Sequence, residues 1–233
     1  MMKVSFSHYP KPFQSAIKLL KDYRADPNRV ISAFSNLPGK RVNLHLDPLN
    51  LIPSYQVIEK EEILKSGTFW LRAFLSPCFL IGAAVKNKEG MVDRVAAGHF
   101  GARFTSSELE GLLSRILPIA PDEKVNAFIA GSSQRITEEM VMKNMNDIVN
   151  EFKKIGLPLK AKTDIWHLPV LSDINMNNMV ISDLGNKKRE KYLTRMAYFG
   201  ITPEDCMLFC THRIGERIQR IRIITPDVGL IDL

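Results

Sequence analysis

The sequence predicts a mixed α/β domain. Apolar runs of strand length alternate along the chain with stretches of helical period, and turns rich in Gly, Pro and Asn separate them. Hydrophobic residues make up 45% of the 233 positions, enough for one sizeable core. Charged residues at 24%, with 13 Gly and 13 Pro scattered rather than clustered, exclude collagen-like, low-complexity and wholly disordered chains.

Residues 1–65 read as an N-terminal extension packed on the main unit, residues 66–233. A helix is expected from Pro12 to Tyr23, followed by a Pro- and Asn-punctuated stretch, Asn36 to Tyr55, in which Val42, Leu44 and Leu46 alternate with polar neighbours. Phe79 to Val85 (FLIGAAV) reads as a buried strand, Asn87-Lys88-Glu89-Gly90 as a hairpin turn, and Met91 to Phe100 as the returning strand. Ser107 and Glu110 have the spacing of a capping box, and Leu109, Leu112, Leu113 and Ile116 form one apolar face before Pro118 stops that helix.

Val125 to Ala130 reads as a strand running into Gly131-Ser132-Ser133. Val141, Met145, Ile148, Phe152 and Ile155 then recur at helical spacing, with Glu138 and Glu139 in the first turn, Lys153 and Lys154 in the last, and Gly156 and Pro158 as a stop. Leu157 to Ile165 is expected as a strand. Residues 167–212 are less regular and read as an insertion, with a loop at Asn175 to Asn178 and a helix from Lys188 to Phe199 ended by Gly200. Gln219 to Thr225 alternates polar and apolar residues, Pro226 to Gly229 supplies a turn, and Leu230 to Leu233 closes the chain as a strand. No internal repeat is present.

Lys plus Arg is 32 against 25 Asp plus Glu, a net charge of +7 that favours nucleic acid, acidic protein surfaces or anionic lipid without choosing among them. The longest apolar runs are too short to span a bilayer, and Met1 to Arg24 lacks the order of a secretory signal, so a soluble chain is expected. Cys78, Cys206 and Cys210 are expected as reduced thiols.

Chemistry concentrates at Cys78 and His99. With the turn near 87–90, a simple hairpin pairs residues whose numbers sum to about 177, which puts Cys78 opposite His99. A thiol and an imidazole within reach form a thiolate nucleophile, and the imidazolium can return its proton to a leaving group. By spacing alone, a buried structural cysteine and a satisfied strand histidine are the commoner arrangement.

The other candidates carry less. Cys206, Cys210 and His212 form C-x3-C-x-H without a fourth ligand at a convincing spacing, so no metal is expected. His212, Arg213, Arg217, Arg220 and Arg222 cluster near the C-terminus and could meet phosphates or an acidic partner, although a solvated face is the default. Met140, Met142, Met145, Met176, Met179 and Met196 read as core rather than as an adaptable surface. Trp166 beside His167 reads as core before it reads as the lining of a cleft. No phosphate-binding Gly loop of dinucleotide or P-loop type is present, which disfavours nucleotide chemistry.

In order, the chain carries Leu75-Ser76-Pro77-Cys78, then Gly98-His99-Phe100, then a helix, then a strand ending Ala130-Gly131-Ser132, and then Gly156-Leu157-Pro158-Leu159-Lys160-Ala161. This resembles the bacterial chemoreceptor glutamine deamidases and the catalytic domains of deamidating toxins of the cytotoxic necrotizing factor and lethal factor type. The resemblance covers about residues 70–166 and the final hairpin. It implies β-sandwich-like mixed sheets flanked by helices, Cys78 as nucleophile and His99 as general acid/base. The reaction it implies converts glutamine in a target protein to glutamate through a thioester, without a cofactor. It further implies a chemotaxis-type enzyme in the cytoplasm or an effector secreted into a host cell, and the extension and insertion favour the effector.

The departures are specific. Pro77 stands where the family has Gly or Ser, and Arg72 stands where many members place a histidine-orienting Thr. Thr68 and Ser76 are nearby hydroxyls without a residue match, so the third catalytic member is open. Two rivals use the same scaffold: a non-catalytic protein- or nucleic-acid-binding module, and a cysteine protease or transglutaminase-like acyl transferase.

Overall fold

The computed structural model describes residues 6–22, 34–46, 53–75, 78–101, 104–131, 193–214, 217–225 and 229–232, with short pieces at 32, 150–151, 153–154 and 165–167. Its elements in chain order are α1 (Lys11–Asp22), β1 (Lys40–Leu44), β2 (Ser54–Glu59), α2 (Lys60–Ser66), β3 (Phe69–Phe74), β4 (Phe79–Lys86), β5 (Val92–Phe100) and α3 (Ser106–Leu113). A 3-10 turn (Ser114–Ile116) follows, then β6 (Lys124–Gly131), β7 (Ile165–His167), β8 (Leu193–Ile201), β9 (Cys206–Ile214), β10 (Arg217–Thr225) and β11 (Gly229–Asp232). The strands form a six-stranded sheet in the order β1-β3-β8-β9-β10-β11 and a five-stranded sheet in the order β2-β5-β4-β6-β7. Each is mixed, because β1 runs parallel to β3 and β7 parallel to β6 while the other pairs are antiparallel.

Three apolar clusters define the layers. Leu71, Ala73, Phe199 and Leu208 of the larger sheet pack against Leu80, Ala84, Val95 and Ala97 of the smaller one, so the central core lies between the sheets. The outer face of the larger sheet meets α1, whose Phe13, Ala16, Ile17 and Leu20 fall on one stripe against Trp70, Tyr198 and Phe209. The outer face of the smaller sheet meets α3 through Leu109, Leu112 and Leu113 over Phe79, Ile81, Ala96 and Phe100. The result is two sheets face to face with a helix on each outer side.

Two devices tie these layers together. Lys86 at the end of β4 pairs with Asp205 at 2.8 Å, and Val92 N–H donates to the Pro203 carbonyl at 2.8 Å, which joins the β4–β5 hairpin to the β8–β9 turn across the sheets. Arg94 of β5 donates from Nε to the Ile116 carbonyl at 2.9 Å and grips both carboxylate oxygens of Glu123, fixing the segment after α3 to the smaller sheet.

Several expectations move. The capping box is Thr105 with Glu108, two residues earlier than the Ser107–Glu110 reading, because Thr105 is the residue with an extended backbone and so can offer its hydroxyl to the Glu108 N–H. The segment from 193, read as part of a helix, is strand β8: Ala197, Phe199 and Ile201 face the central core while Tyr198 faces α1, and a strand buried on both sides shows no alternation. Residues 1–65, read as an extension, supply α1 and an edge strand to each sheet, and β8 with most of β9, inside the segment read as an insertion, sits within the larger sheet. The helix expected over 138–155 lies outside the described residues except for helical backbone at 150–151 and 153–154, and the strand expected from Leu157 is described only from Ile165. Among the described residues no helix is long and apolar enough to cross a membrane.

Candidate functional site

The β4–β5 turn fixes the register between the cysteine and the histidine. Asn87 accepts at its side-chain oxygen from the N–H groups of Glu89 and Met91, both at 3.0 Å, and Gly90 takes the positive φ of 81° that the turn requires. Lys86 then pairs with Val92, but Val85 pairs with Arg94, so Asp93 is an extra residue and the register steps by one. Beyond this bulge the paired numbers sum to 179 rather than 177. Leu80, not Cys78, stands opposite His99.

A shift of two residues keeps the face. Val95 and Ala97 of β5 and Leu80 and Ala84 of β4 all belong to the central core, so His99 continues the inward-facing set of β5 and Cys78 that of β4. Cys78 is the residue immediately before β4 and a diagonal neighbour of His99, a relation that places Cα atoms about 7–8 Å apart. Both side chains are buried, at 7% and 4% exposure. Ser76 and Pro77, which link β3 to Cys78, lie outside the described residues.

His99 is held from the opposite sheet. Its Nδ1 lies 2.9 Å from the carbonyl oxygen of Leu44, the last residue of β1. A carbonyl only accepts, so Nδ1 carries the hydrogen and donates it, and in the neutral ring Nε2 is the proton acceptor. Burial strengthens this bond by excluding competing water. The backbone carbonyl of Leu44 thereby orients the histidine.

Thr68, one of the two hydroxyls weighed from sequence, falls elsewhere. Thr68 sits at the start of β3, where its carbonyl accepts from Lys40 N–H at 2.9 Å. Because β1 and β3 run parallel with Lys40 beside Phe69 and Leu44 beside Ala73, Thr68 is roughly 16 Å along the sheet from the level of Leu44. Arg72 is in phase with Trp70 on the α1 side of β3, and it hydrogen-bonds Tyr198. Burial pushes the Tyr198 phenol up to about 12, although the Arg72 charge and hydrogen bond pull the other way. Arg72 therefore belongs to the far face and does not orient His99.

Sequence reasoning missed two neighbours of His99, Leu44 and Ser54. Ser54 of β2 is the direct register partner of His99 on its other side and is half-buried on the inward face shared with Ile58. No local signal marked either, because β2 has short, mixed composition and the Leu44 contact is a backbone atom 55 residues away in sequence. On the smaller sheet Ala130 and Gly131 of β6 pair with Leu80 and Phe79, so the small-residue strand end adjoins Cys78. Trp166 and His167 of β7 pair with Phe128 and Ile129.

Cys206 and Cys210 do not form a chelating pair. Four residues along extended β9 separate their Cα atoms by about 13 Å, too far for one ion with metal–sulfur bonds of ~2.3 Å. Cys206 is fully buried in the central core, and burial, with the Asp205 charge adding to it, pushes its thiol well above the usual range against the pull of Lys86. No group of three or more His, Cys, Asp or Glu suited to a metal occurs among the described residues.

No protein-family model matches this chain, and no curated protein matches it.

Proposed function

We propose that the chain is a protein glutamine deamidase in which Cys78 is the nucleophile and His99 the general acid/base. The observation that carries this reading is the placement of both residues on one buried face at one sheet end, with the Leu44 carbonyl holding His99 so that Nε2 is the basic nitrogen. Thiol and imidazole in that relation are the parts an amide-cleaving thioester mechanism needs. The order of the Cys78, His99 and Ala130-Gly131 motifs, which resembles the deamidase family, supports it from the sequence side.

In this mechanism His99 Nε2 takes the Cys78 proton and Sγ adds to the carboxamide carbon, while backbone N–H groups around Cys78 steady the oxyanion. The C–N bond breaks as the imidazolium returns the proton, and ammonia leaves a thioester. Water, deprotonated by Nε2, then attacks the same carbon, the C–S bond breaks, and glutamate and the thiol result. Atoms balance with water as the only co-substrate. The protein carrying the glutamine is the partner, and a role as a secreted effector or as a cytoplasmic enzyme of the chemotaxis type is part of the same proposal.

The test is a mass-spectrometric search for Gln-to-Glu conversion, a gain of about one dalton per site, in cell extracts incubated with the wild-type chain or with Cys78→Ser and His99→Ala. Sites should appear with the wild type alone. A wild-type protein that binds a partner tightly and never changes its mass would instead favour a non-catalytic binding module, and peptide-bond cleavage or amine transfer would favour the protease or transglutaminase alternatives.

A further inference from the structure

We propose that the outer face of the larger sheet carries a binding site for a phosphate group, built from Arg41, Asn43 and Arg72. Phase and register bring these three together. Val42 and Leu44 of β1 pack toward the central core, so Arg41 and Asn43, which alternate with them, face the other way, and both are exposed. Leu71 and Ala73 of β3 likewise face the core, which leaves Arg72, half-buried, on the outer side with Trp70. Asn43 is the register partner of Arg72, and Arg41 stands beside Trp70. At about 4.8 Å between strands and about 3.3 Å per residue, the Cα atoms of Arg41 and Arg72 are roughly 8 Å apart, with Asn43 at the corner between them.

Both guanidinium groups are held through Phe34. Its carbonyl accepts from Arg41 Nε at 3.4 Å, and the Leu37 carbonyl accepts from Nη2 of the same side chain. Its ring stacks on Tyr198, with centroids 4.2 Å apart at an interplanar angle of 28°, and the Tyr198 phenol accepts from Arg72, its register partner. These bonds leave further N–H donors on each arginine, because a guanidinium carries more than the carbonyls and the phenol take up. Holding both forks before a ligand arrives lowers the ordering cost of binding.

The charge of this pair is uncompensated. Lys40 is paired with Glu62, Lys86 with Asp205, and Arg94 with Asp93 and Glu123. Arg41 and Arg72, by contrast, have no carboxylate within ion-pair distance among the described residues. Two guanidinium forks with a carboxamide beside them match a dianion that offers several acceptor oxygens, and arginine binds phosphate in a bidentate manner. Phe34, Trp70 and Tyr198 beneath the patch are at most 4% exposed, so they offer no face on which a nucleic-acid base could stack. A single phosphate group, free or carried on a small molecule, fits these observations best. Leu44, whose carbonyl holds His99, is the next residue of β1 after Asn43, so the site adjoins the Cys78–His99 corner from the other face of the sheet. It stands independently of the deamidase reading.

The experiment titrates the full chain by calorimetry, at constant ionic strength, with inorganic phosphate, glycerol 3-phosphate, succinate and a short duplex DNA. At least one of the two phosphate compounds should bind, and the tighter of them identifies the source, free ion or phosphomonoester. Affinity should fall at least about tenfold in Arg41→Gln/Arg72→Gln. Because Arg72 also supports Tyr198, Asn43→Asp is the second variant: it changes an exposed position, keeps both arginines, and should weaken binding as strongly, since its carboxylate occupies the forks and repels the ligand, without lowering the thermal midpoint. Lys88→Gln/Lys124→Gln, at exposed positions of the smaller sheet and its β4–β5 turn, removes the same charge as the arginine pair and should bind like the wild type. An equal loss in that variant would assign binding to net charge and overturn the proposal. So would undiminished binding in Asn43→Asp, tighter binding of succinate or of DNA than of either phosphate compound, or no binding of both phosphate compounds.

Discussion

Gly98→Ala tests the packing beneath the histidine. Gly98 lies beside His99 on β5 but faces the α3 layer, where a Cβ would stand 2.7 Å from Cε2 of Phe100 and 2.8 Å from Cδ1 of Tyr55. Ordinary carbon contacts are about 3.5–4.0 Å, so each ring must retreat by roughly 1 Å. Neither has easy room. Phe100 is fully buried, and the Tyr55 hydroxyl is tied to the Glu108 carbonyl at 2.8 Å, which couples it to α3. Overpacking of this kind costs about 1–3 kcal/mol, and at about 2–4 °C per kcal/mol for a chain of this size the midpoint should fall by roughly 3–10 °C. Thermal unfolding followed by circular dichroism measures the loss, and Gly98→Ala/Phe100→Leu should recover part of it because the second change removes one of the two collisions. Adjacent residues of a strand face opposite ways, so Cys78 reactivity well below the midpoint should be unchanged. An unaltered midpoint would refute the close approach, and lost reactivity with normal stability would refute the separation of the two faces.

Further outcomes follow from the ionisable groups. Glu123 has its carboxyl held below the usual range by its hydrogen bonds to Arg94, helped by the Ala120 N–H. Its folded value lies under its unfolded one, so its contribution is complete above about pH 4.3 and fades as the pH falls through the depressed value; denaturant titrations should show Glu123→Gln less stable by about 1–3 kcal/mol near neutrality, with the difference shrinking in acid. Tyr198, raised to about 12, favours the fold fully below about pH 10 and loses that contribution as the pH rises through about 12, so in ultraviolet titration it should remain a phenol after exposed tyrosines ionise, and Tyr198→Phe should abolish that late step. Cys206, buried and pushed upward, should resist iodoacetamide at pH 8 until the chain unfolds, and rapid native labelling would contradict its place in the central core.

Much of the fold was legible where the sequence carries a helical or strand period, an unbroken apolar run or turn chemistry. The α1 stripe, the FLIGAAV strand with its Asn87–Gly90 turn, α3 and the C-terminal hairpin all announce themselves through period or turn chemistry. Strand β8 was hidden because Thr194 and Arg195 interrupt its apolar run while burial on both faces removes the alternation, and β2 and β3 because their roles depend on partners distant in sequence. The same division holds at the site. Cys78 and His99 could be read from residue type and approximate hairpin arithmetic, but the bulge at Asp93 could not; it steps the sum of paired numbers from 178 to 179, one of the two residues by which the pairing departs from the simple hairpin. The Leu44 carbonyl was beyond reach in principle, since a backbone atom leaves no trace in residue identity; it does explain how His99 is oriented with Arg72 on the other face of β3.

The central claim is that Cys78 is activated by His99. Its most direct test is the rate of Cys78 alkylation by iodoacetamide at pH 6, resolved by peptide mass spectrometry, in the wild type and in His99→Ala. An imidazole-paired thiol reacts there as a thiolate, whereas an ordinary thiol with a pKa near 8.5 is almost wholly protonated. The account predicts that wild-type Cys78 labels at least about tenfold faster than in His99→Ala, and faster than Cys206 in either protein. Equal rates in the two proteins, with both folded, would contradict it.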